Sequence, residues 1–420
     1  MAHKKIIAVV GATGAQGGAV AAVFLNDPLL HQEWTVRAVT RDPSKDRAQK
    51  LKQQGADVVA ADLNDKASLV RAFAGATAAF GVTDYWETLS MDTEIQQGKN
   101  LVDAAKVESA VSHFIWSSLR NVNKRKDAPA ITRLTEKFAN TRGPLVTQGK
   151  LAHVHQFDGK AEVEEYARQV GVPATFFLPG IYMDSLTKSF RQNPPGSPWV
   201  FALPMPETAP LPLFDVRNTG IWVKAIVRKR DQLLGKRILG ATKYTTPAEL
   251  VDGFTQAFPE AGRAASFFSM PHEMFLQVVQ DAMGLPDWAA ESILEMMRLV
   301  NEGGYFGFES LGESLAVLED EPTAWVDFLK RNEAFKDLNS YVQSLVDPPA
   351  TDPQITREMY ERTEEEMEDL GLNDMKVENY EDKAAETEAG DKPEEKTAEQ
   401  LQHEQKNGEL MDQLIDANRR

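Results

Sequence analysis

Short β-rich segments alternate with helical segments through residues 1–180, and this alternation limits the fold more than any other feature of the sequence. A strand, a helix and a second parallel strand form the repeating unit of a doubly wound sheet, which binds ligands at the carboxyl ends of its strands. We therefore predict an α/β fold built on a parallel sheet. The predicted strands cover residues 4–10, 33–41, 56–62, 77–83, 112–118 and 173–179.

The first predicted strand leads directly into a glycine-rich turn with the sequence GATGAQGG. A strand-to-helix turn presents backbone N–H groups to a phosphate, and residues without a Cβ atom allow the closest approach. Glycine-rich turns also occur at ordinary strand–helix corners, so the strand before this turn and the helix after it support the prediction of a bound dinucleotide. The predicted contacts are Gly11, Thr13, Gly14, Gln16 and Gly17.

Basic residues follow the second predicted strand, where a Rossmann unit meets the ribose of the adenosine. An acid at this point binds the 2′-hydroxyl of NAD, whereas an arginine suits the 2′-phosphate of NADP. The chain has Arg41 and Lys45 here, which favours NADP, although Asp42 beside Arg41 makes the preference less exclusive. Asp62, at the end of the third strand, is placed either to meet the adenine or to cap the next helix.

The composition excludes several kinds of protein. The chain has no cysteine, which rules out disulfides, thiolate chemistry and cysteine-bound zinc. No run approaches the roughly 18 apolar residues that a membrane span needs, and the amino terminus does not resemble a signal peptide. We expect a cytoplasmic or nuclear protein that binds no metal and no membrane.

The charge of the chain is concentrated at its carboxyl end. The net charge is −17, and residues 347–420 contain 23 acidic and 9 basic residues with no tryptophan or phenylalanine. Such a segment buries too little apolar surface to order itself, so we predict a disordered acidic tail; a partner-docking helix in its last segment is the alternative. The remaining, nearly neutral part of the chain argues against direct nucleic-acid binding.

Three regions are predicted from these features: an NADP-binding Rossmann core over 1–180, a smaller helix-rich lobe over 181–346 that binds a substrate or partner and returns elements to the core, and the tail over 347–420. A basic segment after the fifth strand is either solvated surface or a docking site for an acidic partner, a nucleic-acid backbone or the tail. It contains Arg120, Lys124, Arg125, Lys126, Arg133 and Arg142.

Several motifs occur together in order from residue 5 to about residue 340: GATGAQGG, VTRDP, GVTDYWE, FDGKAEVEEYARQVGVPATFFLPGIY and DEPTAWVDFLKRNEAF. As a set they resemble the NmrA-like family of atypical short-chain dehydrogenase/reductases. The resemblance implies a Rossmann fold that binds NADP(H), in either a redox-sensing regulator of transcription factors or enzymes, or a reductase. The expected cofactor contacts then also include Leu63, Thr83, Tyr85, Lys160 and Pro179.

Short-chain reductases use a tyrosine and a lysine four residues apart on one helix. The lysine holds the nicotinamide ribose and lowers the pKa of the tyrosine, which then passes a proton to the carbonyl. This chain has Lys160, but Gln156 occupies the tyrosine's position and cannot act as the acid. The usual proton donor is therefore missing, while Lys160 remains a candidate catalytic residue and ribose ligand.

Other side chains could contribute to a reaction. Ser117 or Ser118 stands where the family's substrate-orienting serine is expected, and Ser117 is our candidate catalytic serine. His153 and His155 could donate a proton, or could be loop histidines without a catalytic role. A substrate could also stack near Tyr182.

Two functions of different classes follow. The first is a non-catalytic NADP(H)-binding redox sensor that passes the cofactor state to a protein partner such as a transcription factor, and the absence of tyrosine at position 156 favours it. The second is an NADPH-dependent oxidoreductase that acts on a small carbonyl or enone with a different proton donor. The lobe that contains PGIYMDSL after the sixth strand, where a substrate could stack near Tyr182, favours this second function.

Overall fold

The structure is a computed structural model that describes residues 4–123, 150–192, 196–336 and 338. All of these lie within one compact unit, residues 1–350. The predicted acidic tail lies outside the described residues, as do the basic residues of the segment after the fifth strand other than Arg120. The division between residues 1–180 and 181–346 stays a prediction.

A seven-stranded sheet forms the centre of the molecule, and all of its neighbouring strands are parallel. The predicted α/β fold is therefore confirmed. Each of the six predicted strands forms, shortened by one to three residues, and a later strand adds the edge beside the sixth. The strands are β1 Lys5–Val10, β2 Trp34–Thr40, β3 Asp57–Ala60, β4 Ala78–Gly81, β5 His113–Ser117, β6 Ala174–Pro179 and β11 Arg237–Gly240.

The strand order is β11-β6-β5-β4-β1-β2-β3. The chain moves outward in one direction from β1 to β3 and in the other direction from β4 to β6. The order therefore reverses between β1 and β4, and a crevice opens at their carboxyl ends, where doubly wound sheets bind their ligands.

Two three-stranded sheets accompany the central one, with orders β12-β10-β7 and β13-β9-β8. Their six strands are short and come from the later part of the chain. They are β7 Ile181–Tyr182, β8 Phe190–Arg191, β9 Val200–Leu203, β10 Leu211–Phe214, β12 Lys243–Thr245 and β13 Ser266–Ser269.

Helices flank the central sheet and make up much of the later chain. None of the described helices is long and apolar enough to cross a membrane. The α-helices are α1 Ala15–Asn26, α2 Pro28–Glu33, α3 Asp46–Gln53, α4 Lys66–Phe73, α5 Tyr85–Thr88, α6 Met91–Val107, α7 His155–Val170, α8 Met183–Thr187, α9 Thr219–Arg228, α10 Arg230–Leu233, α11 Pro247–Ala257, α12 His272–Met283, α13 Asp287–Glu302, α14 Gly312–Leu315 and α15 Trp325–Arg331. Two 3₁₀ helices cover Val216–Asn218 and Glu333–Phe335.

Successive side chains of β1 point to opposite faces of the sheet and enter two separate cores. Ile7 and Val9 pack in the core on the side of α1 and α9. Ala8 and Val10 pack in the core that includes residues of α6 and α7. Apolar side chains of β1 point to both faces of the sheet, so the strand is buried along most of its length.

Glycines allow the helices on each face to approach closely. A Cβ atom on Gly220 of α9 would lie 2.4 Å from the carbonyl oxygen of Ala19 in α1. A Cβ atom on Gly98 of α6 would lie 2.4 Å from the Val163 side chain in α7. Each helix pair therefore depends on the missing side chain for its spacing.

Stacked aromatic rings fill the interior beside the sheet β13-β9-β8. The Phe190 ring is stacked on Phe201 and Phe254, with centroids 4.5 and 4.7 Å away, and on Trp325 at 6.4 Å. We call these four residues the aromatic cluster. Offset stacking of this kind adds a modest attraction to the large apolar area that the rings bury.

Gly17 offers a direct test of the packing between α1 and β1. A Cβ atom at this position would lie 2.3 Å from the carbonyl oxygen of Gly11, which is backbone and cannot rotate away. We expect Gly17→Ala to lower the free energy of unfolding by roughly 1–3 kcal/mol, measured by urea denaturation. The matched control is Gly18→Ala, where the nearest contact is 3.3 Å and the effect should be smaller. Equal stability of Gly17→Ala and the unchanged protein would contradict this packing.

Candidate functional site

The glycine-rich turn connects the carboxyl end of β1 to the first turn of α1. Gly11 has a left-handed backbone with φ of +62°, and its carbonyl accepts a hydrogen bond from the Gly14 amide at 2.8 Å. Gly14 and Ala15 are exposed, and no side chain caps the start of α1. The first-turn N–H groups of the helix thus face a part of the crevice where an anion can approach them.

The basic segment after β2 contacts this turn through Arg47. Arg41 follows β2 and forms an ion pair with Glu87 of α5. Lys45 is exposed at the start of α3, and Arg47 in the same helix donates to the Thr13 carbonyl at 3.2 Å. Arg47 was not predicted from the sequence, although it lies in the same run, RDPSKDR. The three cations belong to one segment, and Arg47 connects that segment to the turn.

The loop after β3 is held by α6. The Leu63 carbonyl accepts from the Asn100 side-chain amide at 2.8 Å, and Gln97 donates to Asn64 at 3.2 Å. The Asp62 carboxylate accepts from the Asn64 amide at 2.8 Å, whereas a different residue, Asp65, caps α4. The helix-cap interpretation of Asp62 is therefore wrong, and its contact with adenine stays a prediction.

Lys160 and Glu94 form a buried ion pair between α7 and α6. The Lys160 ammonium also donates to the carbonyl and the hydroxyl oxygen of Thr83, both at 3.0 Å. The Thr83 hydroxyl in turn donates to Glu94 at 2.8 Å. The three N–H groups of the ammonium thus have acceptors within the protein, at the carboxyl end of β4. Whether Lys160 also contacts a ribose stays a prediction.

Glu94 was not identified from the sequence. It is completely buried, and its second carboxylate oxygen has no hydrogen-bond partner among the described residues. An acid on the inward face of a predicted helix is an available signal, because a buried carboxylate needs a partner. That signal does not say which cation pairs with it.

A chain of side-chain hydrogen bonds crosses the crevice. The Ser117 hydroxyl donates to the Gln16 amide oxygen at 2.8 Å, and the Gln16 amide nitrogen donates to the Tyr182 hydroxyl at 2.6 Å. The chain therefore connects β5, the start of α1 and β7. Burial raises the pKa of Tyr182 to about 12, and the hydrogen bond from Gln16 acts on this pKa in the opposite direction. Tyr182 is thus protonated at neutral pH.

Gln156 occupies the position where a short-chain reductase has its tyrosine, and α13 holds its amide. The Gln156 oxygen accepts from the Ser292 hydroxyl at 3.2 Å, and its nitrogen lies 3.8 Å from the Met296 sulfur. His153 is bound to the same helix, because its backbone N–H and its Nδ1 contact the Glu295 carboxylate at 2.6 and 2.9 Å. These contacts explain the burial of Gln156.

His155 lies beside His153, with the two ring centroids 6.2 Å apart. Burial, together with the neighbouring His153, lowers the pKa of His155. His155 is therefore a neutral imidazole at neutral pH. Among the described residues, no three His, Asp or Glu side chains come together as a metal site.

Three other predicted or considered site residues lie in the packed interior. Ser118 donates to the buried Glu164 carboxylate at 2.8 Å. Tyr85 is buried, its hydroxyl has no partner among the described residues, and burial raises its pKa to about 12. Pro179 ends β6 and is paired in register with Gly240 of β11. A cofactor contact by Tyr85 or Pro179 stays a prediction.

Arg120 does not belong to an open basic surface. It is buried, and its guanidinium donates to the Phe306 carbonyl and to Glu309 at 2.8 Å. Both interpretations of the basic segment, solvated surface and docking site, are therefore wrong for Arg120, because its side chain is buried and its charge is already paired with Glu309.

Comparison with known proteins agrees with this architecture. The model of the NmrA-like family matches residues 3–140 and 144–329. The NmrA-like family domain-containing oxidoreductase malD of Malbranchea aurantiaca is 32% identical over 204 residues, which cover 47% of this chain and 53% of malD. The similarly named cpsB of Aspergillus campestris is 40% identical over 121 residues, covering 28% of this chain and 34% of cpsB. The chain spans about half the length, or less, of these curated relatives.

Solved structures share the fold at lower identity. NmrA, a negative transcriptional regulator solved in complex with NADP, has a TM-score of 0.60 and 21% identity over 79% of this chain and 95% of that chain. The NADPH-dependent quinone oxidoreductase QOR2 of Escherichia coli, solved with NADPH, has a TM-score of 0.55 and 19% identity over 76% of this chain and 97% of that chain.

The buried pair of Lys160 and Glu94 gives a test of the site's internal electrostatics. Lys160→Met leaves a buried carboxylate without its cation, so we expect the free energy of unfolding to fall by about 3–5 kcal/mol, measured by urea denaturation. Replacing both residues, in Lys160→Met with Glu94→Leu, should cost less than the single change, because no buried charge remains. A double variant as unstable as the single one would show that the charge is not the cause.

Proposed function

Because the chain belongs to the NmrA-like family, we propose that it binds NADP(H) in the crevice at the carboxyl ends of β1, β2 and β4. The glycine-rich turn supports this proposal, since Gly17 leaves no room for a side chain and Gly14 exposes the backbone before α1. Relatives of known structure such as NmrA have been solved with NAD or NADP.

The segment after β2 supports NADP over NAD. This segment carries three cations, Arg41, Lys45 and Arg47, against two acids, Asp42 and Asp46, and Arg47 contacts the turn itself. A 2′-phosphate is a dianion or close to it, and a guanidinium binds it through two parallel hydrogen bonds. Among the ion pairs of the described residues, these cations have one acid partner, Glu87 of α5, although Asp42 and Asp46 lie in the same segment.

Within this role we propose that the protein is a redox sensor that passes the state of its cofactor to a protein partner such as a transcription factor. The observation that supports it is the position of Gln156. Its side chain is an amide with no acidic proton, and α13 holds it through Ser292. A site that binds the nucleotide but has no proton donor at this position can signal that the nucleotide is bound without reacting with it.

A second candidate is an NADPH-dependent reductase acting on a small carbonyl or enone. The hydrogen-bond chain from Ser117 through Gln16 to Tyr182 favours it, and the curated relatives malD and cpsB are named oxidoreductases. Bound NADPH would supply a hydride, and Tyr182 is a described side chain of this crevice that could supply the proton. However, a tyrosine with a pKa of about 12 is a weak acid, which ranks this candidate second.

NADPH oxidation distinguishes the two candidates. We expect no turnover above background across a panel of carbonyl and enone compounds, while calorimetry shows NADPH binding to the same preparation. Turnover that is lost in Tyr182→Phe, with NADPH affinity retained, would contradict the sensor and favour the reductase.

Arg41 gives the sharpest test of cofactor choice. A charge-assisted hydrogen bond contributes roughly 1.5–3 kcal/mol, so Arg41→Ala should weaken NADP binding by roughly 10- to 100-fold in a calorimetric titration. NAD has no 2′-phosphate, and its affinity should barely change.

Arg228→Ala is the matched control, because Arg228 is a partly exposed arginine paired with Glu319 at 3.4 Å. It should leave the affinity for both nucleotides unchanged. Equal weakening of NAD and NADP in Arg41→Ala would mean that Arg41 supports the shared adenosine or the fold, and the assignment to NADP would fail.

A further inference from the structure

The ion pair between Arg41 and Glu87 spans the crevice. Arg41 follows β2 and Glu87 belongs to α5, which follows β4. In the sheet, β1 lies between β2 and β4. The pair therefore crosses the line of β1 at the end where the glycine-rich turn begins, and it joins the two sides of the proposed nucleotide site.

The short helix that carries Glu87 is fixed at both ends. The Asp84 side chain caps it by accepting from the Trp86 amide at 3.1 Å. Leu89 ends it in a left-handed conformation, with φ of +53°, and donates its amide to the Tyr85 carbonyl at 2.7 Å. Tyr85 is buried whereas Glu87 is exposed, so α5 is anchored by one side and presents its carboxylate on the other.

A carboxylate and a 2′-phosphate require the same hydrogen bonds from a guanidinium. If Arg41 receives the phosphate of NADP, that phosphate meets a guanidinium already paired with Glu87. The ligand must displace the carboxylate and approach a like charge, which is unfavourable. NAD presents a hydroxyl at the same position, and a carboxylate can accept a hydrogen bond from it.

We propose that Glu87 is a specificity-determining residue of the nucleotide site, which competes with the 2′-phosphate for Arg41 and so narrows the preference for NADP over NAD. This inference rests on the proposed function, in which Arg41 binds the phosphate. At this position of the site, Arg41 raises the affinity for NADP and Glu87 lowers it.

The test compares NADP and NAD binding to the full chain and to Glu87→Gln by calorimetry at low ionic strength. Glutamine keeps the size of the side chain and removes its charge. An exposed ion pair is worth little, so we expect NADP affinity to rise by about two- to ten-fold, while NAD affinity stays the same or falls. The gain should shrink with added salt, because exposed charges are screened.

Glu319→Gln is the matched control, since Glu319 is a partly exposed acid paired with Arg228 at 3.4 Å. It should leave both affinities unchanged. An unchanged ratio of NADP to NAD affinity in Glu87→Gln would overturn the inference.

The Arg41→Ala background separates this inference from the proposed function. If Glu87 competes for Arg41, the increase in NADP affinity caused by Glu87→Gln must be smaller in the Arg41→Ala variant. An equally large increase in that variant would overturn the inference. By contrast, an Arg41→Ala variant that binds NADP as tightly as the unchanged protein would refute the proposed function itself.

Discussion

The arrangement of the crevice depends on the buried ion pair between Lys160 and Glu94. Removing two charges from water is costly, and only close pairing and additional hydrogen bonds offset that cost. Here the hydroxyl of Thr83 links both charges, and its carbonyl accepts from the ammonium. Because Thr83 lies two residues after the end of β4, the pair fixes the backbone at the carboxyl end of this strand and connects it to α6 and α7.

The same charge imposes a requirement on the neighbouring sequence. A Cβ atom on Gly159 would lie 3.0 Å from the second carboxylate oxygen of Glu94. That oxygen has no partner among the described residues, and a methyl group would press against it without satisfying it. The buried acid therefore favours a small residue at position 159, where the motif FDGK has its glycine.

The sequence predicted features that depend on neighbouring residues, and it missed contacts between residues that are far apart in the chain. The strands of the central sheet were predictable because each is a short apolar run bounded by polar residues, and the glycine-rich turn was predictable because it lies between a predicted strand and a predicted helix. The ion-pair partners of the charged residues were not predictable. Glu94 is 66 residues from Lys160 and Glu87 is 46 residues from Arg41, and nothing near any of these four residues indicates the pairing. Lys160 is an example. Its motif predicted a ligand of the cofactor, but it did not predict that the N–H groups of the ammonium already donate to Glu94 and Thr83.

The alternation of side chains in β1 has a consequence for cooperativity. The core on the side of α1 and α9 contains none of the four rings of the aromatic cluster, among the described residues, whereas the core on the other face is continuous with all of them. Apolar contacts that form one continuous cluster are lost together when any large part of them opens to water. Loosening the aromatic cluster is therefore expected to disturb the core on the side of α6 and α7 before it disturbs the core on the side of α1 and α9.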